Sequence, residues 1–383
     1  MSDRVAIVGI GQTALRDAAD DRLYHEHDYE AARLALADAG LDRGDVDTVI
    51  CSGWDAVDGR TISDMHTAMS SGGYLKDSSH VGEDGIMALA YAYMRIAAGL
   101  FDVALVTAHG HAESSFETVS NVVFDPLFVR PLGLSHLVSL ALQANAYVQR
   151  YGVSEVQAAK VAVKNRGNGA ANPRAHLRSP VSVEETLSSD PVCYPLRELH
   201  CPPQSVGGVA VILASEDAAR RISDNRVWIS GIGWAIDSYD LGSKDLSRLG
   251  SLAEAAAKAY RMAGISDPME ELDLAEVHDI TAFHELMAYE ALGLAAEGGA
   301  ARLIEDGDTA PGGRLPVNTS GGVLCANPYG ASGLLRVAEA ALQVRGEAGQ
   351  QQLASVGKAL AHGMSAPSGA AARTDCAVIL EGA

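Results

Sequence analysis

The pattern V-x-I-x-G-I-G occurs twice, as Val5-Ala6-Ile7-Val8-Gly9-Ile10-Gly11 and as Val227-Trp228-Ile229-Ser230-Gly231-Ile232-Gly233. A short apolar run closing on glycine reads as a buried strand entering a turn. The segments after the two copies also match. Tyr29 to Ala39 is an Ala-rich helical stretch stopped by Gly40, and Leu252 to Ala263 is one stopped by Gly264. Glycine accepts the left-handed conformation just past a helix end. An acidic turn and a strand come next, D-V-D-T-V-I-C-S-G-W in one half and L-D-L-A-E-V-H-D in the other. Further on, the helix opened by Gly85 and the strand D-V-A-L-V-T-A-H-G correspond to the helix opened by Gly330 and the strand D-C-A-V-I-L-E-G. One shared heptapeptide would be weak. Element order shared across both halves implies an internal duplication. Alternating β and α segments imply an α/β fold with helix-covered sheets. The second copy also makes the G-x-G of the first a fold element rather than a dinucleotide turn, whose third glycine is absent.

The halves divide at residues 1–225 and 226–383. The first carries an inserted loop domain of about residues 112–205, rich in Pro, Asn, His and Arg, with one clear helix from Leu137 to Tyr151. Such insertions carry function on a rigid scaffold. The segment Phe124 to Gln143 is apolar enough to line a pocket or an interface.

Charge narrows the partners. Twenty-nine Lys and Arg stand against 49 Asp and Glu, a net charge of −20. Such a chain is unsuited to nucleic acid and to anionic membrane surfaces. The five cysteines, Cys51, Cys193, Cys201, Cys325 and Cys376, include no C-x-x-C pair. That argues for a reducing, cytoplasmic setting rather than a disulfide framework. His80, His109 and His111 include an H-x-H pair, but no third ligand stands at metal spacing, so no metal site is expected.

Three long segments resemble the thiolase superfamily, in its lipid-transfer-protein (sterol-carrier-protein) branch. They are L-A-E-V-H-D-I-T-A-F-H-E-L (Leu274 onward), L-P-V-N-T-S-G-G-V-L-C-A-N-P-Y-G-A-S-G (Leu315 to Gly333) and V-A-V-K-N-R-G-N-G-A-A-N-P-R-A-H-L-R (Val161 to Arg178). The resemblance implies the thiolase fold: two duplicated βαβαβαββ halves in α-β-α-β-α layers. It also implies a coenzyme A thioester as substrate with no bound cofactor, and a homodimer or a heterodimer with another thiolase-like chain.

The departures from the family pattern bear on the chemistry. Gly82, in His80-Val81-Gly82-Glu83-Asp84-Gly85, falls where thiolases place a nucleophilic cysteine, whose thiol a helix N-terminus activates. Asn327 replaces the histidine of the family's G-H-P motif, and His362-Gly363-Met364-Ser365 stands where the second cysteine is expected. His278 is retained. Without a thiolate the usual acyl-enzyme is not available. A retro-aldol cleavage of a β-hydroxyacyl-CoA needs only a base and donors for the enolate. Some members of the branch are similar in acting as side-chain aldolases beside an OB-fold partner. On this reading Tyr329, His278, Asn327 and Glu83 form the catalytic set, and Lys164, Arg166, Arg174 and Arg178 hold the coenzyme A phosphates. Two alternatives stand beside it: a non-catalytic subunit supporting a catalytic thiolase chain, and an acyltransferase using an unorthodox nucleophile such as Cys325.

Overall fold

The structure, a computed structural model, describes residues 4–17, 22–110 and 122–383. Its first half holds β1 (Val5–Gln12), β2 (Thr48–Ser52), β3 (Asp77–Val81), β4 (Val103–Gly110) and β5 (Ser205–Ser215). The second holds β6 (Val227–Ile236), β7 (Leu274–Glu276), β8 (Lys358–Ser365) and β9 (Thr374–Gly382). These strands run β3-β2-β4-β5-β1-β6-β9-β8-β7 across one mixed sheet. The halves meet through two residue pairs of β1 and β6.

The duplication is visible strand by strand. β5 lies antiparallel between β1 and β4, as β9 does between β6 and β8. β2 is parallel to β4 as β7 is to β8, and a parallel bridge from Ala275 to Val317 stands in for β3. Even the irregularity repeats. The register slips at Val8 in β1 and at Ser230 in β6, the fourth residue of each heptapeptide. The glycines answer to packing. A Cβ at Gly9 or Gly11 would run into the carbonyl oxygens of Ala35 and Ala31 on α1 (Tyr24–Ala39). Gly231 and Gly233 are crowded in the same way by Ala259 and Ala255.

Side-chain alternation then sorts the layers. Ala6, Val8, Ala210 and Ile212 face α1, while Ile7, Val211, Ile229 and Val378 face a central layer made by α2 (Gly85–Ala97) and, late in the chain, Ser332–Arg345. Leu360, Ala377 and Ile379 face an outer layer. That layer includes α3 (His136–Tyr151), α4 (Glu155–Ala170), α5 (Gly250–Ala263) and α6 (Ala282–Ala291). The central helix Ser332–Arg345 is α7. Gly40 and Gly264 close α1 and α5 in the left-handed conformation, at φ 65° and 71°.

Two elements depart from the sequence expectation. The insertion holds a second long helix, α4, whose Ser154/Gln157 capping box announces it, although Gly167 and Gly169 argue against a helix there. α1 starts at Tyr24 rather than Tyr29, because its first turn buries Tyr24, His27 and Asp28, a polar face that apolar periodicity does not detect. Among the described residues no helix is long and apolar enough to cross a membrane.

Candidate active site

The site forms where the two central helices begin. After β3 the chain passes through Gly82 and Glu83 to Asp84, which caps α2 by accepting the Ile86 N–H at 3.0 Å. The other Asp84 oxygen accepts the Gly333 N–H of α7 at 3.0 Å, so one carboxylate ties both helix starts together. Burial pushes Asp84 up to about 7 in spite of these bonds. Gly85 N–H donates to the Gly330 carbonyl at 2.8 Å. A Cβ at Gly82 would meet nothing within 4 Å, so glycine there answers no packing demand. Glu83 is half-buried. Burial raises its carboxyl above the ordinary range, against hydrogen bonds to Thr374 and Ser365, and its Oε2 has no partner.

The second wall is the turn before α7. Asn327 is held through its backbone, its N–H donating to Ser205 Oγ at 3.1 Å and its carbonyl accepting the Ser205 N–H at 3.0 Å. Its Oδ1 accepts from Ser332 Oγ at 2.8 Å, which fixes the amide orientation. The Tyr329 hydroxyl donates to the Ala366 carbonyl at 2.6 Å. Burial, with Asp84 nearby, drives the phenol far above its usual range. Asn327 and Tyr329 line a pocket of about 160 Å³ together with Ile280, His136 and Cys201.

The E-V-H-D segment does two jobs. Glu276 and Asp279 are scaffolding. Glu276 binds Ser320 and Thr319 and pairs with the buried Arg336 at 2.8 Å. Asp279 accepts the Val323 and Leu324 N–H groups and the Asn165 amide. Burial, with the Glu285 carboxylate nearby, raises the Asp279 carboxyl. Together they hold the N-T-S-G-G loop against β7. His278, between them, is 5% exposed, and among the described residues neither ring nitrogen has a hydrogen-bond partner. Burial, with His362 and Arg336 nearby, keeps it well below the usual histidine range and therefore neutral.

His278 also exposes a relay absent from the sequence expectation. Its backbone N–H donates to His362 Nδ1 at 3.3 Å, and His362 Nε2 faces Asp375 at 3.0 Å. Asp375 is paired with the fully buried Arg373 at 2.8 Å, and despite burial Arg373 and His362 hold its carboxyl below the ordinary range. The signal was present: His362 is a polar residue amid the apolar middle of β8, and Asp375 is a charged residue just ahead of the apolar run C-A-V-I-L of β9.

The expected phosphate-binding residues separate. Lys164 is buried against Glu285 at 2.7 Å and donates to the Val317 carbonyl, and Arg174 pairs with Glu339 at 3.1 Å. Arg166 is partly buried, bonded to the Ser179 carbonyl, and Arg178 lies exposed, bonded to the Ala170 carbonyl. The thiols offer little. Burial pushes Cys51, Cys201 and Cys325 up to about 12 and Cys376 further. Cys325 donates to the Asn165 carbonyl at 3.2 Å, beneath Gly169 and Gly321, and its raised pKa disfavours the thiolate that the acyltransferase alternative requires. His109 is hydrogen-bonded to two carboxylates, and His111 lies outside the described residues. Among the described residues no group of three or more His, Cys, Asp or Glu is arranged to hold a metal.

Residues 233–381 match the family described as thiolase C-terminal domain-like. An acetyl-CoA acetyltransferase of Methanothermobacter thermautotrophicus is 32% identical, over 96% of this chain and 98% of its own length. The chain belongs to the thiolase superfamily. Within this superfamily it falls in the sterol-carrier-protein branch. Sterol carrier protein 2 of Gallus gallus is 30% identical over 95% of this chain and 70% of its own. A solved structure described as an Ltp2-ChsH2(DUF35) aldolase superposes with a TM-score of 0.84 at 27% identity, covering 99% of this thiolase-superfamily chain and 98% of that one. The α/β class read from the duplicated halves, and the thiolase fold that the resemblance implied, are thereby established.

Proposed function

We propose that this chain cleaves the Cα–Cβ bond of a β-hydroxyacyl-CoA by a retro-aldol reaction, beside an OB-fold partner. One observation carries the reading: the start of α2, where the family's nucleophile is expected, offers Gly82 and a carboxylate with a raised pKa instead of a thiol. The aldolase likeness supports the reaction class.

We assign the roles as follows. Glu83 takes the β-hydroxyl proton. The electron pair of that O–H bond becomes the new carbonyl, the Cα–Cβ bond breaks, and its pair forms the thioester enolate. Neutral His278 donates to the enolate oxygen, which a buried, unpartnered imidazole does without prior loss of a bond. The Asn327 amide, with its oxygen held by Ser332, presents its NH2 as a second donor. The Tyr329 hydroxyl is held by the Ala366 carbonyl, so its ring lines the pocket and positions the acyl group by contact, while the single proton of the substrate hydroxyl goes to Glu83. The proton on Glu83 then returns to Cα, giving an aldehyde or ketone and a shortened acyl-CoA. Arg166 and Arg178 are the cations left to meet the coenzyme A phosphates.

β3 pairs with β2 and its other edge is unpaired among the described residues, and we expect a second thiolase-like chain there. Light scattering at twice the 39.9 kDa chain mass would agree.

The test is incubation of the purified chain, alone and with an OB-fold partner, with β-hydroxyacyl-CoA substrates. Carbonyl product that is lost in His278→Ala and reduced in Tyr329→Phe is expected. Full activity in both variants rejects the site. A separate probe is Gly82→Cys: its thiol should alkylate readily with iodoacetamide and be protected by acyl-CoA, and labelling unaffected by acyl-CoA would place the substrate elsewhere.

A further inference from the structure

A cluster of buried polar side chains surrounds His109, near the end of β4, and none of it takes part in the chemistry above. His109 is 1% exposed. Its Nδ1 lies 2.9 Å from Asp28 Oδ2 on α1, and its Nε2 lies 3.0 Å from Asp58 Oδ1. A neutral imidazole has a single N–H, so two carboxylate partners call for the imidazolium. Burial opposes that charge, but Asp28 and Asp58 outweigh it and hold the ring well above the usual histidine range. Charge-assisted bonds of this kind are about twice as strong as neutral ones. The Tyr24 ring packs 5.0 Å from the imidazole and passes its hydroxyl to His66 Nδ1 at 2.7 Å.

What this cluster holds is a turn. The N–H groups of Val57 and Asp58 both donate to the Trp54 carbonyl, at 2.8 and 2.9 Å. Fixing Asp58 therefore fixes Trp54. On the near side, Gly53 passes so close to the ring that a Cβ would sit 3.0 Å from His109 Cε1. On the far side, Asp55 Oδ1 accepts the Ser63 N–H at 2.8 Å. The indole so placed meets the Tyr329 ring edge-on, centroids 4.6 Å apart at 74°. Tyr329 lines the inner pocket of about 160 Å³. Trp54 lines an outer hollow of about 340 Å³ with Gly82, His80, Val123 and Pro367. The aromatic pair is the partition between them.

We propose that Trp54 determines acyl-group specificity, walling the inner pocket off from the outer hollow, and that Asp28, His109 and Asp58 are positioning residues that clamp its turn. This rests on the acyl-CoA reading above. An apolar cavity of about 150 Å³ takes a benzene-sized guest, and the inner pocket, about 160 Å³ and partly open to solvent, has room for an acyl group of about one six-membered ring. A fused polycyclic acyl group needs the partition opened.

The experiment is calorimetric titration with non-cleavable acyl-CoAs: butanoyl, cyclohexanecarbonyl and a fused polycyclic acyl. Trp54→Ala should shift the Kd ratio of polycyclic to cyclohexanecarbonyl at least tenfold toward the larger group. Trp54→Phe, which keeps an aromatic wall, should shift it less than threefold. Asp58→Asn should shift it in the same direction as Trp54→Ala, with butanoyl affinity retained as the sign of a folded site. An unchanged ratio in folded Trp54→Ala overturns the partition. An unchanged ratio in Asp58→Asn beside a shifted one in Trp54→Ala overturns the clamp. A native chain that binds none of the three rejects the acyl-CoA reading itself, a result distinct from both.

Discussion

At the scale of single residues the assignments separate by protonation. A base must be ionised to accept a proton, so activity should rise with pH through the pKa of Glu83. Burial sets that pKa above the ordinary glutamate value of 4.5, and the ascending limb should lie correspondingly higher. Glu83→Gln should remove this limb as well as most of the rate. A pH–rate profile of kcat/KM reads both, and an unchanged limb in the variant would assign the base elsewhere. His278 predicts the opposite signature. Its pKa is depressed, so the ring stays neutral above the usual histidine range and adds no limb near pH 6.5. His278→Ala should lower kcat about 10²–10³-fold, the usual cost of losing an oxyanion donor, while KM changes little. A loss confined to KM would make His278 a ground-state contact instead.

Among the elements, the short strand β7 and its turn carry charges that the interior tolerates only in pairs. Glu276 and Arg336 are both buried and bonded to each other and to Ser320. Removing one partner strands the other. Glu276→Gln should cost about 3–5 kcal/mol in denaturant unfolding, against well under half that for an exposed pair such as Arg302 with Asp306. Equal effects of the two changes would mean that the buried network is not holding the loop. This element also shows how far the sequence could be read. The E-V-H-D letters announce a site, and position within the motif does not say that Glu276 and Asp279 hold the loop while the His278 ring is left without a hydrogen-bond partner among the described residues. Lys164 and Arg174 went the same way: a basic cluster in one dimension resolves into a buried ion pair of Lys164 with Glu285 and a partly exposed one of Arg174 with Glu339 once those carboxylates arrive from the other half. α4 was hidden because its buried face is built of alanines, Asn165 and Gly169 rather than large apolar side chains.

For the whole molecule, the duplication was legible because two copies of one pattern must solve the same packing problem, down to the glycines under α1 and α5. The site was less legible because it lies where the copies differ. Among the described residues β3 has only a bridge as its counterpart. The net charge of −20 also takes on a meaning at this scale. On the proposed assignment an acyl-CoA is an anion approaching a strongly acidic protein, so distant carboxylates should slow its arrival while Arg166 and Arg178 should attract it at contact range. Salt separates the two effects, since charges beyond about 10 Å are screened at 0.1 M while contacts are screened much less. The association rate should therefore rise between low salt and about 0.1 M, the reverse of a basic coenzyme A site on a basic protein. The double change Arg166→Gln with Arg178→Gln should lower the rate at every ionic strength and leave the rising slope in place. Stopped-flow measurement of acyl-CoA binding across that range reads both quantities. A native rate that falls from the first addition of salt would mean that a local basic field governs the approach, and would return the search for phosphate contacts to cations beyond those two arginines.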